Sequence, residues 1–224
     1  MNVALSRWVG LRAPVYAPAQ QTRRRDVGEL GSKIAIVTLF SFMAMRISTD
    51  AATTGHVTGI LLVVSEALVV ALTLVRRSAG SVDRTIEARL LTAVATFGPP
   101  LVRPDSLAAV VSEPVTIAIS AIGLIIVVLG KLSLGRSFGL APANRGVVSS
   151  GVYRLIRHPI YFGYLVTHLG FALANPAVWN IAVLLVADVA LMLRARVEER
   201  TLAADESYRQ YMQRVRWRVV PGVF

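Results

Sequence analysis

The chain contains no cysteine, and only 17% of its 224 residues are charged. Without a thiol there is no disulfide, no thiolate nucleophile, no cysteine-ligated zinc or iron–sulfur cluster, and no prenylated or palmitoylated side chain. Soluble domains carry roughly 25% charged residues, and here the shortfall is gathered into long apolar runs rather than spread evenly. Acidic groups are scarce as well: 13 Asp and Glu stand against 24 Lys and Arg, a formal net charge of +11. The three histidines, His56, His158 and His168, sit in separate segments without ligand spacing, which argues against a metal centre. What is abundant is apolar: 54% hydrophobic residues and a mean hydropathy of +0.59. These values exclude disorder, collagen and coiled coil, and they make lipid the natural solvent of the apolar runs.

The runs cover residues 34–45, 57–75, 90–102, 115–134, 160–174 and 178–193. A bilayer core takes about 20 apolar residues per helix, so the second, fourth and sixth suffice and the others need flanking residues. Gly98-Pro99-Pro100 breaks the third, which reads as a kinked span or a re-entrant piece. The expected fold is all-α: a polytopic integral membrane bundle of five to six spans, with a C-terminal helical hairpin followed by cytoplasmic amphipathic helices. Its expected parts are a basic arm at 1–30, N-terminal spans at 31–130 and a functional C-terminal region at 131–224.

Basic residues support that topology. With the N-terminus in the cytoplasm and six passes, Lys and Arg of the arm, of the second connection (Arg76, Arg77, Arg84, Arg89), of the fourth (Lys131, Arg136, Arg145, Arg154, Arg157) and of the tail all face inward. Only Arg46 and Arg103 face outward, the asymmetry that the positive-inside rule describes. The positive charge is therefore topological, and nucleic acid is not an expected partner; membrane lipids are. Residues 1–30 hold no apolar stretch of signal-peptide type and read as a cytoplasmic arm that helps to set orientation.

Pro159 opens the fifth run and Asn175-Pro176 turns the chain into the sixth, so these two helices are expected to be antiparallel neighbours. Polar groups then meet at one depth: Arg145, Tyr153, Arg154, Arg157, His158 and Tyr161 near the hairpin entrance, and Arg194, Glu198 and Glu199 at its exit. A helix over 205–216 with Tyr208, Tyr211, Met212 and Val215 on one stripe would lie on the membrane surface or over the hairpin mouth.

The ordered set Val147-Val148, Gly151, Tyr153, Arg157-His158-Pro159-Ile160-Tyr161, Asn175-Pro176, Arg194-x-x-x-Glu198-Glu199, Tyr208-x-x-Tyr211 and Pro221 resembles the isoprenylcysteine carboxyl methyltransferase family, with which membrane phospholipid methyltransferases share much. The resemblance covers about residues 130–224. It implies S-adenosylmethionine at the cytoplasmic mouth of the final hairpin and a lipophilic acceptor arriving from the bilayer. Cofactor contacts are carried onto Arg145, Val147, Val148, Tyr153, His158, Pro159, Ile160, Tyr161 and Glu198, and an acceptor-side role onto Arg194. At position 145 the family usually has His, which weakens that contact.

The residue chemistry fits a cofactor of this kind. Glu198 or Glu199 can accept from ribose hydroxyls or an ammonium, N–H groups before Pro159 can take an anion, and the rings of Tyr153 and Tyr161 can face adenine or a sulfonium. A carboxylate acceptor needs no base and suits Arg194, whereas an amine or hydroxyl needs one, with His158, Glu199 or Tyr161 as candidates. Plainer explanations exist for each: a headgroup contact for Arg154 and Arg157, a helix cap for His158, an i,i+4 ion pair from Arg194, an interfacial belt for the tyrosines. Within the runs, Asp188 can line the acceptor route or bond His168 on the neighbouring helix, and Glu66 has no evident partner. The rival functions are an NADPH-dependent membrane reductase of the sterol type, which shares an Arg-His-Pro-x-Tyr pattern but wants more basic residues for a 2′-phosphate, and a non-enzymatic membrane scaffold.

Overall fold

Each apolar run that falls on described residues forms a helix, because a chain in lipid must satisfy its own backbone hydrogen bonds. The computed structural model describes residues 30–31, 33–42, 45, 57–77, 79, 81–83, 85–103, 109–140 and 142–224. The basic arm expected at 1–30, apart from Leu30, lies outside them, as do Arg46, His56 and Arg84. The helices are α1 (Lys33–Phe42), α2 (Val57–Val75), α3 (Ile86–Phe97), α4 (Glu113–Leu134), α5 (Pro159–Ala174), α6 (Val178–Leu202) and α7 (Glu206–Arg214). Two short strands, β1 (Ser81–Val82) and β2 (Ala143–Asn144), pair antiparallel with Ser81 opposite Asn144.

Local chemistry sets the boundaries. Thr85 caps α3 by accepting from the Ala88 N–H at 3.2 Å. Gly98 and the two prolines end that helix at Phe97, and the chain continues as a 3-10 turn over Pro99–Leu101. Gly135, at φ 47°, closes α4. Among the described residues, two stretches are long and apolar enough to cross a bilayer: Glu113–Ser137 and Val178–Leu202. The 16 residues of α5 extend only about 24 Å, short of a bilayer core of about 30 Å.

The order of contacts along the helices fixes their directions. Gly130 meets Ile160, Gly123 meets Gly163 and Gly170 meets Ser120, so α4 and α5 are antiparallel. His168 meets Asp188 and Tyr161 meets Glu198, so α5 and α6 are antiparallel as expected. Arg200 pairs with Glu87, and Trp179 donates to the Leu101 carbonyl, placing α3 antiparallel beside α6. The C-terminus of α4, the N-termini of α3 and α5 and the C-terminus of α6 thus share one end of the bundle. Arg103 lies at the other, where its backbone exchanges two hydrogen bonds with Asn180.

The α4–α5 contact has no room for side chains at its centre. A Cβ on Gly123 would stand 2.7 Å from the Gly163 carbonyl oxygen, and one on Gly163 would stand 2.7 Å from the Gly123 carbonyl oxygen. Small residues let helix backbones approach where no hydrophobic drive between helices exists, which is the usual route to tight packing in lipid.

Lys131 departs from expectation. Counted with the inward-facing loop, it is instead turned into the bundle at 1% exposure. Its ammonium donates to the Ser65 hydroxyl and carbonyl at 2.7 and 3.0 Å and stands over the Tyr164 ring. Glu66, buried next to Ser65, interacts electrostatically with the same ammonium, which supplies the partner the sequence did not reveal.

Candidate active site at the hairpin mouth

Pro159 can begin α5 because the first N–H groups of a helix have no intrahelical partner to lose. The N–H groups just before it are not free, contrary to expectation. Arg157 N donates to the Trp217 carbonyl at 3.0 Å and His158 N to the Arg218 carbonyl at 2.8 Å, because the chain returns over the mouth after α7. This end of α5 is therefore closed to an anion.

Neighbouring carboxylates on α6 have different surroundings. Glu199 is 5% exposed. It stands 3.1 Å from Arg157 Nε and 3.3 Å from His158 Nε2, and Arg218 Nε donates to it at 2.7 Å. It lines neither of the cavities described below. Glu198 accepts from the Tyr161 hydroxyl at 2.6 Å and from Arg194 at 3.0 and 3.1 Å, with His158 Nδ1 3.6 Å away. Arg194 also donates to the Leu140 carbonyl and lies over the Tyr161 ring at 5.4 Å. The i,i+4 pair of Arg194 and Glu198 thus exists, but in a buried network rather than on a solvated helix end.

Two cavities meet at this network. The smaller, about 110 Å³, opens among Arg145, Val147, Val148, Arg157, Tyr208 and Tyr211. The larger, about 420 Å³, runs along α5 from Ile160 and Tyr161 past Tyr164 and His168 to Phe171, with Arg194 and Leu191 on the facing helix. Tyr153, His158 and Glu198 line both. Of the residues singled out in sequence, Arg145, Val147, Val148, Tyr153, His158 and Glu198 come together around the smaller space. Ile160, Tyr161 and Arg194 face the larger one, and Pro159 and Glu199 line neither.

Helix α7 walls the smaller cavity, the second of the two placements its stripe allowed. Asp205 caps it, accepting from Ser207 N at 2.9 Å and from the Asn144 amide at 3.1 Å, which ties α7 to β2. Hydrogen bonds from Ser207 and Asn144, foremost, hold the Asp205 carboxyl below its usual range. The Tyr211 hydroxyl donates to the Tyr153 carbonyl at 2.8 Å. Burial is the main cause that pushes the phenols of Tyr153, Tyr208 and Tyr211 upward, so all three stay neutral and act as walls and donors. The pocket roles of Arg157 and the two α7 tyrosines, and the hold of Arg218 on Glu199, were not assigned from sequence. Only the tyrosine stripe signalled any of them, because a basic residue in a basic tail carries no mark of its partner.

Two helices long and apolar enough to cross a bilayer and a polar mouth over an apolar cavity suit a helical membrane protein. Residues 114–210, from the start of α4 into α7, match the family model described as phospholipid methyltransferase, in agreement with the resemblance carried by the motif set. Over these residues, less than half of the chain, the protein is similar to a family of membrane methyltransferases. Comparison with curated proteins and with solved structures gives no significant match.

Proposed function

We infer that the protein transfers a methyl group from S-adenosylmethionine to a lipophilic acceptor at the cytoplasmic face of a membrane it crosses several times. The observation that carries this reading is the junction of a small polar cavity with a long apolar one at Tyr153, His158 and Glu198. A reaction between a polar cofactor and a lipid needs two such compartments with one common wall.

The donor set of the smaller cavity suits the cofactor. Arg145 and Arg157 are cations for a carboxylate, Glu198 is an acceptor for ribose hydroxyls or an ammonium, and Val147, Val148 and the tyrosines form an apolar slot for a base. Small-molecule sites usually enclose roughly 300–1,000 Å³, so the cavity of about 110 Å³ must widen, by outward movement of α7 or use of the adjoining space. When bound, the cofactor supplies the electrophilic methyl group.

The chain's own residues do the positioning. Arg194, fixed by Glu198, Leu140 and the Tyr161 ring, presents a cation where the larger cavity meets the shared wall, and it orients an acidic or phosphate-bearing head. His158 is the better candidate to take a proton from an amine or hydroxyl acceptor. It lines both cavities, whereas Glu199 is held by three basic groups. Alignment of the reacting atoms within about 3–3.5 Å is then the main catalytic task.

The test is a titration of the purified protein with S-adenosylmethionine and, separately, NADPH, followed by incubation of membranes containing it with methyl-labelled cofactor. S-adenosylmethionine binding that weakens on Glu198→Ala, and label recovered in extracted lipid, are expected. Base-labile label identifies an ester and stable label an amine or ether. Binding of NADPH instead, or of neither, overturns the proposal.

A further inference from the structure

Below the mouth, α5 and α6 share a second histidine–carboxylate contact that methyl transfer leaves without a task. His168 Nδ1 lies 2.5 Å from Asp188 Oδ1. Ionisable groups inside apolar runs normally face a partner or a cavity, and this pair does both, since His168 also lines the larger cavity. A carboxylate only accepts, so the proton of the contact sits on Nδ1, and in the neutral imidazole Nε2 is then the acceptor. Among the described residues the ring makes no other hydrogen bond.

Glu66 lines the same cavity. It is 7% exposed, and its Oε2 is buried without a hydrogen-bond partner among the described residues. A buried acceptor without a donor is costly. That oxygen on α2, whose carboxyl also meets the Lys131 charge, and the His168 ring on α5 face a space whose walls are otherwise mostly apolar. A plain hydrocarbon chain offers neither of them a donor, whereas a hydroxyl group does.

We propose that the acceptor is a lipophilic molecule carrying a hydroxyl group part-way along its chain, and that His168, held in register by Asp188, selects it by accepting from that hydroxyl. The inference rests on the larger cavity being the acceptor's seat. Seven residues of α5 separate Tyr161 from His168, which sets the hydroxyl about 10 Å from the end that is methylated. Asp188 is the positioning residue, His168 the specificity residue, and Glu66 a second acceptor on the opposite wall.

The experiment measures binding to the purified full chain in detergent micelles, without cofactor. The probes are stearic acid, 10-hydroxystearic acid and the primary amines with the same two chains. With at least one head group, the hydroxylated member is expected to bind about tenfold more tightly than the plain one. His168→Leu should reduce that ratio to near one while the plain chain still binds. His168→Gln, whose amide oxygen can accept, should recover part of it. Asp188→Asn, which keeps the shape but loosens the ring's orientation, should lower the ratio without removing it. A purely structural dyad would move both affinities together and leave the ratio intact.

Equal binding of plain and hydroxylated chains with both head groups, no binding of either, or a ratio that survives His168→Leu overturns the proposal. Failure of the cofactor titration would sink the methyltransferase reading instead and leave the hydroxyl ratio readable.

Discussion

Helix α5 meets its two neighbours in opposite ways. Against α4 it is pressed backbone to backbone, with Gly123 and Gly163 each leaving no space for a Cβ. Against α6 it is held apart by a cavity of about 420 Å³ and joined by polar rungs, Tyr161 to Glu198 and His168 to Asp188. Where the packing is tightest there is no cavity, and where polar contacts replace packing there is one. The closely packed α4–α5 pair forms a wall that α6 faces with Arg194 and Glu198.

The largest effect should come from the clamp that closes the mouth. Glu199→Leu removes the carboxylate that faces Arg157, His158 and Arg218, and it should cost about 3 kcal/mol, because two half-buried guanidiniums lose their partner. Thermal unfolding in detergent measures it, and a loss below about 1 kcal/mol would show that the cluster is solvated. Gly163→Val sharpens the comparison from the other side. It forces branched carbon into the Gly123 backbone and should destabilise by about 3 kcal/mol, whereas Leu191→Val on the cavity wall, where space exists, should cost about 1 kcal/mol.

Glu198→Gln bears on function and stability together. The Tyr161 contact can persist to an amide oxygen, but the buried Arg194 loses its counter-charge, so stability should fall by about 2 kcal/mol while S-adenosylmethionine affinity falls about tenfold. The smallest effect belongs to α7. Asp205→Ala removes its cap and the Asn144 tie, for about 1 kcal/mol. Because the Asp205 carboxyl is held below its ordinary value of 3.8, its contribution is present above that value and lost as pH falls through the lowered one. Hydrogen exchange of the α7 amides should therefore rise only in acid more extreme than pH 3.8, and Asp205→Asn should abolish that dependence.

Much of this architecture was legible because it is written in local signals. Pro159 and Asn175-Pro176 bracket α5, and the charged stretch after Leu193 keeps helical phase, so α6 was expected to run on towards Leu202. Of the motif residues, Arg145, Val147, Val148, Tyr153, His158 and Glu198 line one cavity. The partner of α5 was not legible. Two glycines on each of two helices, Gly123 and Gly130 against Gly163 and Gly170, show their complementarity only once the helices are docked. Lys131 was counted only as a charge of the fourth connection, because nothing in the sequence shows that its long side chain reaches Ser65 inside the bundle. The N–H groups before Pro159 looked free because their acceptors, Trp217 and Arg218, lie some sixty residues further along the chain.

That last pairing also orders events at the ribosome. Helices α5 and α6 are both made before Trp217 and Arg218 exist, so the nascent hairpin first stands with Glu199 short of one cation and two backbone donors still seeking acceptors. The mouth reaches its final form only when the closing segment emerges and folds back across it.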